Sequence, residues 1–166
     1  MRRVVVRCAA VALLLTALPL AAQTGVWTAV GSTGAIDEAS LPIYAFNTNN
    51  LTFLGAATGT VVARYNVTNT LGGGFTDVPP WTTLEMTYFD IAASSSVSAT
   101  LYQVNRCTNT FTVICGVASV DATSPTCVAC TFPAGSINFA NSAYVVEVRL
   151  TRTANPLPQL FSLRIF

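Results

Sequence analysis

The chain has 166 residues, eight arginines, seven carboxylates, no lysine and no histidine, for a formal net charge of +1 at pH 7. Without histidine it cannot run a Ser-His-Asp or Cys-His relay or hold a histidine-ligated hydrolytic zinc. The few scattered arginines give no basic patch of the kind nucleic acid needs.

Arg2, Arg3 and Arg7 precede an apolar run from Cys8 through Leu15 to Pro19, and Ala21-Ala22 lead into the polar Gln23. This is the pattern of a cleavable secretory signal peptide. The run is too short for a membrane span, which takes about 20 residues. Cleavage after Ala22 is expected, so 1–22 is read as the signal peptide and 23–166 as one domain without a transmembrane segment. The compartment is then secreted, extracellular or cell-surface. Removing 1–22 leaves five arginines against seven carboxylates and discards Cys8.

Four cysteines remain: Cys107, Cys115, Cys127 and Cys130. An even set in an exported chain reads as two disulfides. The favoured pairing is Cys107–Cys115, closing a hairpin, with Cys127–Cys130 closing a tight loop. The nested pairing, Cys107–Cys130 with Cys115–Cys127, is the alternative. No helical pattern follows Cys127, as a redox motif requires, and zinc would need all four thiolates.

From residue 23 onward the apolar residues recur with period two. Short strands are expected at 26–30, 42–46 and 51–54. The segment 59–67 puts Val61, Ala63, Tyr65 and Val67 on one face. The segment 82–91 sets Leu84, Met86 and Tyr88 against Thr83, Glu85 and Thr87. In 96–104, Val97, Ala99 and Leu101 oppose Ser98, Thr100, Tyr102 and Val104. The segment 111–120 follows, with Gly116 as a candidate bulge. In 143–151, Tyr144, Val146, Val148 and Leu150 oppose Val145, Glu147 and Arg149. The last segment turns Phe161, Leu163 and Ile165 inward and Ser162 and Arg164 outward. The Gly- and Pro-rich stretches between them are turns. The prediction is an all-β protein: one antiparallel β-sandwich, jelly-roll-like, of about eight or nine strands. A small outer-membrane β-barrel is a distant alternative, disfavoured by Arg164 on the face that would meet lipid.

Low charge, Thr/Ser/Asn-rich faces and disulfides favour a non-enzymatic extracellular structural or surface protein that assembles with itself through strand edges. The terminal strand can be internal or an open edge. The alternative is a carbohydrate-binding module with extracellular polysaccharide as partner. Its aromatic platform would come from Trp27, Trp81 and Tyr88, drawn from a set that also includes Tyr44, Tyr65, Tyr102 and Tyr144. Against this, lone tryptophans more often seal a core. A glycosidase would need two facing carboxyls, for which Glu85, Glu147 and Asp90 are the candidates. No cofactor is implied. Asp37, Glu38, Asp77 and Asp121 are loop carboxylates that a structural calcium could use, although Asp37-Glu38-Ala39-Ser40 reads better as a capped turn.

Overall fold

The computed structural model describes residues 25–71 and 77–166; the signal peptide reading, 1–22, lies outside the described residues. The described chain is all β, with two short 3-10 turns at Gly31–Thr33 and Glu38–Ser40. In chain order the strands are β1 (Trp27–Val30), β2 (Ala35–Ile36), β3 (Tyr44–Phe46), β4 (Leu51–Phe53), β5 (Gly59–Val67) and β6 (Thr83–Phe89). They continue with β7 (Ser95–Asn105), β8 (Phe111–Ala118), β9 (Thr126–Thr131), β10 (Ser142–Arg152) and β11 (Gln159–Ile165).

These strands form two antiparallel sheets. The six-stranded sheet runs β3-β4-β11-β6-β9, with β1 also paired to β11; the five-stranded sheet runs β2-β5-β10-β7-β8. The result is a two-sheet sandwich with open edges, as period-two patterning implies, and not the closed cylinder of a membrane barrel. The terminal strand is internal. β11 pairs with β6 on one side and with β1 and β4 on the other, so the edges belong to other strands.

Strand alternation places the core between the sheets. On β10, Tyr144, Val146, Val148 and Leu150 are buried while Ala143 and Arg149 face solvent. Leu84, Met86 and Tyr88 of β6 pack toward them from the other sheet. Polar groups that enter this interior are satisfied. The Tyr65 hydroxyl donates to the Gly31 carbonyl at 2.6 Å. Gly31 has no room for a side chain, because a Cβ there would lie 2.1 Å from the Leu160 carbonyl oxygen. Arg152, 2% exposed, donates to the carbonyls of Gly55, Ala57 and Ala154 and to Asn155 Oδ1.

Two bulges alter what simple alternation predicts. In β11 the register shifts between Leu160 and Ser162, so Leu160 is buried and Phe161 is only half-buried; the inward position expected for Phe161 belongs to Leu160. In β8 the shift falls at Ile114, two residues before the glycine expected to carry it: Cys115 opposes Leu101 and Val113 opposes Tyr102. An extra residue in one strand re-aims the side chains on either side of it. Here it turns Cys115 inward and Val113 outward.

The inward Cys115 bonds Cys130 of β9. The pairing differs from both expected arrangements, and strand geometry gives the reason. Cys127 and Cys130 lie three residues apart on β9, a strand where the spacing suggests a tight loop. An odd spacing on a strand puts two side chains on opposite faces. Cys130 faces the interior, and Cys127 faces solvent beside the Thr87 hydroxyl, 3.3 Å away. Cys107 sits exposed in the β7–β8 turn. Cys107 and Cys127 are free thiols. This disulfide joins β8 to β9, the edge strands of opposite sheets on the same side of the sandwich.

Candidate functional site

The outer face of the five-stranded sheet carries a graded row of side chains. β5 contributes Arg64, β10 contributes Glu147 and Arg149, β7 contributes Tyr102, and β8 contributes Phe111 and Val113. Ladder pairing sets the order: Glu147 stands opposite Arg64 on one side and Thr100 on the other. One turn of pleat away, Val145 stands opposite Tyr102, which in turn faces Val113.

Glu147 organises the polar half. Its Oε2 accepts from Arg64 Nε at 3.0 Å and lies 2.9 Å from Nη2. Its Oε1 accepts from Arg149 Nε at 2.9 Å and lies 2.8 Å from Nη2. The Glu147 side chain is only 12% exposed, beside arginine side chains that are 47% and 57% exposed. One carboxylate therefore aligns two fork-shaped donors. The apolar half is a ring pair: Tyr102 and Phe111 meet edge to face with centroids 5.9 Å apart. Phe111 is 55% exposed and Val113 58%. Arg64, Tyr102, Phe111, Glu147 and Arg149 line a shallow hollow of about 330 Å³, a volume suited to a small ligand segment.

The expected platform residues lie elsewhere. Trp27, Trp81 and Tyr88 are 4%, 1% and 0% exposed and belong to the core. Trp81 Nε1 donates to the Gly25 carbonyl at 2.6 Å. The Tyr88 hydroxyl donates to the Val120 carbonyl and accepts from the Val120 amide. Buried rings with satisfied polar tips seal a core and present no face for stacking. Of the seven aromatic residues first considered, Tyr102 is the one on this face. Phe111 was missed because it opens a strand whose facing depends on the bulge at Ile114.

Nor do the candidate carboxylates form a catalytic pair. Glu85 pairs with Arg164 at 3.3 Å across β6 and β11, in the other sheet from Glu147. The two glutamates lie on opposite outer faces of the sandwich, whereas a glycosidase pair must flank one bond. Asp90 is 2% exposed and accepts from Ser95 Oγ and, at 2.6 Å, from Ser119 Oγ, tying the β6–β7 turn to the end of β8. Asp37 caps the Glu38–Ser40 turn, accepting from the Ser40 amide at 3.0 Å and hydroxyl at 2.8 Å. Among the described residues, no three His, Cys, Asp or Glu side chains stand together as a metal site.

No protein-family model and no curated protein matches the chain in sequence. Solved structures do match. A protein described as "xylan-binding module CBM15" superposes with a TM-score of 0.53 at 16% identity, covering 86% of this chain and 95% of its own. A family 11 carbohydrate-binding module from Clostridium thermocellum, solved with a β-1,3-1,4-mixed-linked tetrasaccharide, gives a TM-score of 0.44 at 8% identity, covering 86% and 87%. At 16% identity the likeness to the xylan-binding module is one of fold alone.

Proposed function

We propose that the chain is an exported, non-catalytic carbohydrate-binding module that holds a polysaccharide on the outer face of its five-stranded sheet. The observation that carries this reading is the hollow where the exposed Tyr102–Phe111 ring pair borders the Arg64–Glu147–Arg149 cluster. A pyranose ring has an apolar face of C–H groups and a rim of hydroxyls. Aromatic surface suits the first and fixed polar groups suit the second. The cluster is held in place before any ligand arrives, which limits the ordering cost of binding. Likeness of fold to a xylan-binding module supports the same reading; export rests on the pattern of residues 1–22. Self-assembly through strand edges is the weaker reading, because the terminal strand that motivated it is paired on both sides.

The test is affinity electrophoresis of the purified protein through gels containing soluble plant or bacterial polysaccharides. Retardation by at least one polymer, lost in Tyr102→Ala and Phe111→Ala, is the expected result. Free migration through every gel, or retardation unchanged in both variants, contradicts the proposal.

A further inference from the structure

The polar half of the hollow is rich in donors and poor in acceptors. Glu147 is its carboxylate, and both its oxygens already accept from guanidinium groups. Each arginine meets Glu147 through its Nε and Nη2 edge, so Nη1 on each has no partner among the described residues. A guanidinium carries five N–H donors and no acceptor. Two arginines against one glutamate also leave the cluster with a net positive charge, and the three ion pairs among the described residues bring no second carboxylate to either arginine.

Neutral sugar hydroxyls can accept from these arginines, but their own protons find both Glu147 oxygens already occupied. A carboxylate only accepts, and it carries the charge the cluster lacks. The adjoining ring pair specifies that this carboxylate should sit on a flat body with C–H faces. We infer that the site selects uronate-bearing polysaccharides, with Tyr102 and Phe111 against the sugar ring and the outer edges of Arg64 and Arg149 receiving its carboxylate. This rests on the polysaccharide-binding reading and narrows it to a ligand class. Glu147 is then a positioning residue, which aims the two guanidinium groups without touching the ligand.

The test pairs each acidic polymer with its own neutral derivative. Polygalacturonate and a glucuronoxylan are titrated calorimetrically into the purified protein, each beside the same polymer after its carboxyl groups have been reduced to primary alcohols. The expected result is tighter binding of the acidic form, on the order of tenfold for charge-assisted bonds at a half-exposed site. Raising the salt concentration should narrow the difference. Arg64→Gln and Arg149→Gln should each reduce the preference while melting as cooperatively as the parent. Equal affinity for the acidic and reduced forms overturns the uronate inference and leaves polysaccharide binding standing. Binding of neither form, together with free migration through every polysaccharide gel, overturns both.

Discussion

Tyr102 and Phe111 are diagonal neighbours across the β7–β8 ladder, their rings meeting edge to face at 5.9 Å on the solvent side of the sheet. Both reach that side because of the ladder register: Tyr102 opposes Val113, and Val104 opposes Phe111. The same bulge that allows this turns Cys115 toward Cys130, so the disulfide and the ring pair depend on one irregularity in β8.

Truncating the rings should therefore separate binding from stability. Stacking on an aromatic side chain contributes about 1–3 kcal/mol per ring in nucleic-acid sites, and a similar figure here corresponds to a loss of about 5- to 150-fold in polysaccharide affinity for Phe111→Ala. Because Phe111 is more than half exposed, its thermal midpoint should fall only slightly. Titration calorimetry alongside a melting curve checks both halves.

Trp27, Trp81 and Tyr88 should behave in the opposite way. Removing a fully buried aromatic costs about 3–5 kcal/mol, so Trp81→Ala should unfold at much lower denaturant or be recovered poorly. The milder Trp81→Phe should retain parental polysaccharide affinity. A selective loss of affinity in a well-folded Trp81→Phe protein would return the site to the tryptophans.

The disulfide prediction is equally direct. Peptide mapping without reduction should recover Cys115 joined to Cys130, with Cys107 and Cys127 open to alkylation. A crosslink over a separation of 15 residues stabilises by about 3 kcal/mol. The double variant Cys115→Ser/Cys130→Ser should lose about that much in urea unfolding, and Cys107→Ser/Cys127→Ser almost nothing.

Tyr65 sets an alkaline limit. Burial pushes its phenol well above the ordinary value near 10, so the folded state favours the neutral form. That contribution is fully present below about pH 10 and is lost as pH rises beyond it toward the folded-state pKa. Tyr65→Phe should cost about 1–2 kcal/mol at neutral pH, from the lost bond to the Gly31 carbonyl. It should also destabilise less steeply than the parent between pH 10 and 11. Parallel slopes in the two proteins would contradict the assignment.

Much of the architecture was legible in the sequence because period-two alternation survives wherever a strand has one wet face. On β10, Glu147 and Arg149 could be placed outward from the pattern alone, as could Tyr102 on β7. What depended on pairing could not be read. Arg64 meets Glu147 only because β5 lies beside β10. The Cys127–Cys130 spacing suggests a tight loop, but these residues form β9. The facing of Cys115 and Phe111 turned on one extra residue, and a one-residue shift exchanges the two faces of a strand. The tryptophans misled because a ring suited to stacking on sugar is equally suited to closing a core.

The central claim, that ligand occupies the outer face of the five-stranded sheet, is tested most directly by amide shift mapping. The ¹⁵N-labelled protein would be titrated with oligosaccharides cut from a polymer that retards it. Binding on the proposed face predicts perturbations concentrated around Arg64, Tyr102, Phe111, Glu147 and Arg149. Perturbations centred instead on the six-stranded sheet, around Glu85, Arg164 and Phe166, would contradict it.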